Sequence, residues 1–303
     1  MQNQRSIQTQ NPVFNFLHSY YNVRGARGVR NLKRLTVPAQ PNKPTLLPGA
    51  TANDIRNGLL HNRGAIIKSH GILYDPAETY QTATAHNATS FLWNRNLLAA
   101  TMGAKPLLNC FGLHEWAMLY WPEGASPPPS AAYQEKLPLR VDRQTINSVV
   151  ERGGVSCTHF DALRFFAPAA MPYSRLGDLG KMQRKHQLQL EQPACVHAQM
   201  DTLRFALRLS PWLPSSTLTE CLELAVAARM IDVSASPYDA RAFGIAPIKV
   251  ETERGKEEYR EAQLALMRRS FPVRVSLLRA YDDFLSAAFS SDILSEAQTL
   301  LNL

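Results

Sequence analysis

Cysteine is scarce in this chain of 303 residues, and the four present form no Cys-x-x-Cys pair. Cys110, Cys157, Cys195 and Cys221 therefore offer neither a disulfide framework nor a recognised zinc spacing. With no secretory signal in view, they read as reduced thiols of a cytoplasmic protein. No apolar run approaches the roughly 18 residues of a membrane span, so no membrane partner is expected. A Walker loop, a GxGxxG fingerprint and a GxSxG elbow are all missing, so neither a nucleotide cofactor nor a metal is expected. Acidic residues are nearly absent from the first quarter of the chain. Up to residue 75 only Asp54 and Asp75 oppose ten basic side chains, while the remaining 228 residues balance, so the whole net charge of +8 sits in that segment. An excess so localised marks a face or arm for a polyanion.

The basic segment has internal order. NPVFNFLHSYYNV (11–23) has helical spacing and an aromatic bias, and RGARGVRNLKR follows with Arg24, Arg27, Arg30, Lys33 and Arg34 about one turn apart. Two glycines weaken any helix there and let the backbone lie close to an extended ligand. Four prolines between residues 38 and 48 make a stiff connector. The chain is thus divided into a basic aromatic segment, 1–50, and a mainly helical catalytic domain, 51–303. Residues 63–74 read as two short strands, and 78–102 as a helix carrying Trp93 and Asn94, a base-stacking edge or simple core. The stretch 173–192 is a polar insertion in which Arg184 and Lys185 contact phosphate or merely connect. Residues 253–270 and 272–289 read as two amphipathic helices. The fold class expected is α+β, mainly helical, with a few short strands.

Chemistry is sought where ionisable groups interrupt apolar runs, since burying them is costly unless they are paired or used. CFGLHEWAMLYW places His114 and Glu115 among aromatics. VSCTHFDALRFF adds His159 and Asp161, although Thr158 and Asp161 also have capping-box spacing. In ACVHAQMDTLRFALRL, a stripe of His197, Asp201, Arg204 and Arg208 runs beside an apolar one of identical spacing. On a surface this is a charge ladder; facing a cleft it is a carboxylate held by His and Arg. SASPYD ends the series, with Tyr238 and Asp239 after a proline-fixed turn. The candidate site residues are Asp161, Asp201, Asp239, His159 and His197, with His114, Glu115, Trp93, Asn94 and Tyr238.

CFGLHEWAMLY, CTHFDALRFF, EQPACVHAQMD and SASPYD, in this order over residues 105–260, resemble a bacterial family labelled "3-methyladenine DNA glycosylase". The resemblance implies an enzyme that binds double-stranded DNA, flips out a modified base and hydrolyses its N-glycosyl bond, leaving an abasic site, and a monomer is expected. The same resemblance makes Asp161, Asp201, Asp239, His159 and His197 the catalytic candidates, a carboxylate to orient water and stabilise the oxocarbenium-like sugar and an imidazole to assist the departing base, and His114, Glu115, Trp93, Asn94 and Tyr238 the candidates for a base pocket. The pocket candidates are richer in polar groups than a cationic alkylpurine needs, which favours a hypermodified cytosine bearing hydroxymethyl or sugar groups. Such bases occur in phage DNA, so the role would be antiviral defence. The alternatives are alkylpurine repair, a non-catalytic DNA-binding protein, and a hydrolase of free nucleosides.

Overall fold

The computed structural model describes residues 11–20, 40–126, 137–176 and 183–302. In chain order its elements are α1 (Pro12–Tyr20), β1 (Thr45–Pro48), α2 (Ala52–Arg56), β2 (Ala65–Lys68), β3 (Gly71–Tyr74), α3 (Pro76–Thr79) and α4 (Ala85–Gly103). Then come α5 (Leu113–Met118), α6 (Arg143–Gly153), α7 (Phe160–Leu163), α8 (Gln187–Leu190), α9 (Val196–Leu209), α10 (Ser215–Ala235), α11 (Glu253–Ala288) and α12 (Ser291–Asn302). The three strands make one small antiparallel sheet in the order β1-β3-β2. The unit is therefore mainly helical α+β, as expected. Among the described residues, no helix is long and apolar enough to cross a membrane.

Local chemistry starts most of these helices. Asn11 Oδ1 accepts from Val13 N ahead of Pro12, and Asp142 Oδ1 accepts from Thr145 N at 2.7 Å to open α6. Thr51 with Asp54, and Thr84 with Asn87, form capping boxes at α2 and α4. At α5 the chain enters through a left-handed Gly112 (φ 65°), a conformation that glycine adopts without strain. This turn aims His114 and Glu115 inward.

The helices α9, α10 and α11 pack on one another, with α4 and α12 beside them. The apolar stripe of α9 lies inside this core: Val196, Met200 and Leu203 are buried. α1 joins the same core through Val13 and Leu17, and β1 pairs with β3, so contacts run across the division expected at residue 50. One expectation is corrected. Residues 253–288 form a single helix of 36 residues that passes through Pro272. Pro272 and Arg268, whose carbonyl loses its helical partner, both lie on the exposed face. Water can satisfy that carbonyl, while Leu266, Val273 and Leu277 hold the buried face on both sides of the proline.

Candidate functional site

The polar stripe of α9 runs from the interior to the surface. His197 and Asp201 are buried, whereas Arg204 and Arg208 reach an open groove. It is neither a plain surface ladder nor a plain cleft wall, but a line of polar groups connecting a buried cluster to solvent.

At the buried end three histidines meet. His197 stacks on His159, with centroids 4.7 Å apart and planes 10° apart, and meets His114 edge-on at 4.4 Å. Each outer histidine has its own carboxylate. His159 Nδ1 is hydrogen-bonded to Glu191 Oε2 at 3.1 Å, and Gln187 Nε2 donates to the same oxygen at 3.2 Å. His114 Nε2 lies 3.1 Å from Asp232 Oδ1 on α10. Arg229, one turn earlier on α10, pairs with Asp232 Oδ2 and with Glu115 Oε1, the latter at 2.8 Å. Phe16 of α1 covers the Arg229 guanidinium at 4.1 Å.

These environments separate the titration of like groups. Burial works against the charged form of His159, but the neighbouring Glu191 carboxylate, with Asp201 and Asp161 beyond it, outweighs burial and raises its pKa. Burial alone would raise Glu191; His159, Gln187 and Arg274 bring it below the usual carboxylate range. Burial, then repulsion from His114 and His159, pushes His197 well below the usual imidazole value, so it is neutral at pH 7. Two nearby aspartates part in the same way. Burial raises Asp201 despite Arg204, whereas at Asp161 the bonds and charge of Arg184 overcome burial and hold the carboxyl low.

Asp161 is the junction between cluster and groove. Its carboxylate is nearly buried and meets three guanidiniums: Arg164 at 2.7 Å, Arg184 at 2.8 and 2.9 Å, and Arg204 at 3.5 Å. It makes no cap on α7, where the N-cap is His159, so the capping reading is set aside. Arg184 and Arg204 also line the groove of about 630 Å³, together with Trp93, Asn94, Lys185 and Arg208. Arg208 donates to Ser90 Oγ at 2.5 Å, and Asn94 Nδ2 donates to the Tyr281 hydroxyl at 3.1 Å. Among the described residues lining this groove there are four basic side chains, one aromatic and no acid.

The structure thus brings together Asp161, Asp201, His159, His197 and His114 on one side, and Trp93, Asn94, Arg184 and Lys185 on the other. Four placements differ from expectation, the first being His114, which sits in the buried histidine cluster and does not line the groove with Trp93 and Asn94. Glu115 is engaged with Arg229 inside the core, and Tyr238, buried and near Glu115, does not line the groove either. Asp239 binds Arg241 Nε at 2.9 Å at a surface turn, which lowers its pKa to about 2, so it is outside the cluster. Arg24, Arg27, Arg30, Lys33 and Arg34 lie outside the described residues.

Sequence reasoning overlooked Glu191, Arg229 and Asp232. Arg229 and Asp232 interrupt the apolar run LAVAARMIDV, the same signal that singled out His114 and Glu115. Glu191 stands inside the EQPACVHAQMD motif, but nothing in its local spacing points to a histidine 32 positions earlier. The expectation of no metal set rested on spacing, which sees only neighbours in sequence. In space the donor atoms of His114, His197 and Asp232 all lie within 4.8 Å of one another, as do those of His159, Glu191 and Cys195. Compared with protein-family models, curated proteins and solved structures, the chain matches none.

Proposed function

We propose that the chain is a DNA N-glycosylase that hydrolyses the bond between a modified base and its sugar. One observation carries the reading: a groove whose described lining has four basic side chains, Trp93 and no acid meets, through Arg184 and Arg204, the buried carboxylate of Asp161, beside an oriented imidazole. Phosphates attract guanidinium groups strongly, and a strand laid in the groove competes with Asp161 for Arg184 and Arg204. As those side chains turn to phosphate, the Asp161 carboxylate is uncovered. It then carries the negative charge needed against an oxocarbenium-like sugar and orients the attacking water. Trp93 offers a face for stacking, and Asn94 a polar edge.

His159 supplies the complementary proton. Its Nδ1 is tied to Glu191, while its Nε2 is buried with no hydrogen-bond partner among the described residues. The Glu191 carboxylate beside it favours the protonated ring, which can give its proton to the departing base. Water adds to the sugar C1′ and passes a proton to the Asp161 carboxylate as the N-glycosyl bond breaks, and the base leaves with the proton given by His159.

A cationic alkylpurine is best held between aromatic faces. Trp93 is the one aromatic among the described groove residues; apart from Leu300 and Leu301, the rest of the lining is polar or basic. This favours a hydrophilic base, such as a hydroxymethylated or glucosylated cytosine of phage DNA, and hence antiviral defence over alkylation repair. The test is incubation with normal, alkylated and phage-modified duplexes, assaying free base, abasic sites and strand breaks. Free base and abasic sites from the hypermodified duplex are expected. Release from alkylated DNA alone selects repair, and binding without release from any duplex makes the protein a non-catalytic binder.

A further inference from the structure

The two imidazole–carboxylate pairs of the cluster have the same length and different alignment. His159 and Glu191 meet at 3.1 Å in a hydrogen bond. His114 Nε2 and Asp232 Oδ1 are also 3.1 Å apart, yet both atoms are buried and, among the described residues, neither has a well-aligned hydrogen-bond partner. The approach is short enough for a bond; what is missing is direction. An N–H aimed at Asp232 would satisfy both atoms at once, and leaving two such groups unsatisfied is expensive. Donor atoms that sit side by side without pointing at each other are the pattern of ligands converging on a third body. Around a tetrahedral zinc ion with bonds of about 2.0–2.1 Å, neighbouring ligand atoms stand roughly 3.3 Å apart.

The rest of the site fits that body. His197 contributes the third donor, and all three ligand atoms lie within 4.8 Å of one another. The residues come from α5, α9 and α10, elements of the packed core, so the set is preorganised. Asp232 Oδ2 is held by Arg229, which also holds Glu115, the kind of support that orients a metal-binding carboxylate. Asp232 and Glu115 outweigh Arg229 by one negative charge, so a cation is drawn in. The neighbouring set of His159, Glu191 and Cys195 is weaker, because His159 and Glu191 already satisfy each other.

We propose that His114, His197 and Asp232 form a binding site for one divalent transition-metal ion, with zinc best matched to two imidazoles and a carboxylate. Three protein ligands leave a position for water, as in zinc sites that act on substrates. The site stands independently of the substrate proposed above.

The test uses the whole chain, stripped with a chelator and titrated with Co²⁺ and then with competing Zn²⁺. One equivalent of Co²⁺ is expected to bind with visible ligand-field absorption, without a thiolate charge-transfer band, and to be displaced by Zn²⁺. His114→Gln and His197→Gln, checked for folding by melting, should each weaken binding by more than the about 10–100-fold that removal of a merely supporting residue brings. Cys195→Ser should bind as the parent does. Failure of the folded parent to bind either ion overturns the proposal, whatever the variants do. A thiolate band, or loss of binding in Cys195→Ser, moves the ion to the neighbouring set and overturns it as well. Undiminished binding in both folded histidine variants does the same.

Discussion

Two of the places where arginine meets carboxylate lie at the site, one around Arg229 and one around Asp161, and they have opposite meanings. Around Arg229 the guanidinium, Asp232 and Glu115 are all buried, under Phe16 and beside His114. Around Asp161 the carboxylate is nearly buried, but Arg164 and Arg184 are about half exposed and Arg204 about a third. A closed pair has no other partner to turn to, so each charge depends on the other. Guanidiniums that reach solvent can exchange a carboxylate for a phosphate at little cost. The first arrangement holds a geometry, and the second can be opened by a ligand.

The largest effect should come from the closed side. Arg229→Met leaves Glu115 and Asp232 buried without their cation, and should cost about 3–5 kcal/mol in denaturant unfolding. Arg184→Met at the open side should cost less than about 1 kcal/mol, in keeping with exposed pairs. Equal costs would erase the distinction.

Next is catalysis. Asp161→Asn should reduce single-turnover base release by at least roughly 10²-fold while DNA binding persists, because shape is kept and charge is lost. A folded variant with near-normal rate would move the charged role to Asp201.

A smaller effect is expected in the groove. Arg184→Ala with Arg208→Ala should weaken binding to every duplex alike. The dependence of log K on log salt should flatten by about 0.9 for each phosphate that the missing guanidiniums no longer neutralise. An unchanged slope would mean that DNA does not enter this groove.

The smallest concerns pH. Arg184, aided by His159 and Arg204, holds the Asp161 pKa below its unfolded value. The stabilisation is therefore present above about pH 4 and is lost as pH falls through the folded value. Melting curves of the parent and Asp161→Asn should converge below about pH 4. A gap that persists in acid would show that the stabilisation does not come from the ionised carboxylate.

Much of the architecture was legible before folding, because helix starts and apolar periodicity are local. The α9 stripes, the strands around Ser69-His70-Gly71 and the Trp93 helix all follow from such patterns. The single helix α11 was not, since only its outward-facing Pro272 makes an unpaired carbonyl harmless. Ionisable residues inside apolar runs correctly marked His114, Glu115, His159 and Asp161 as unusual. The partners of these residues stayed invisible, because a charge's partner is chosen by proximity in space. Asp239 shows the reverse failure: a rigid turn suggested a site, and the fold left that turn at the surface with Arg241.

By itself, the sequence determined where helices begin, which faces are apolar, and which polar groups burial would make costly. Only the tertiary structure decided that His159 answers to Glu191, that His114 and His197 gather beside Asp232, and that Arg184 and Arg204 close over Asp161. The physical reason is range. Caps and periodicity act within a few residues, whereas desolvation and Coulomb attraction act between groups that packing alone brings within a few ångströms.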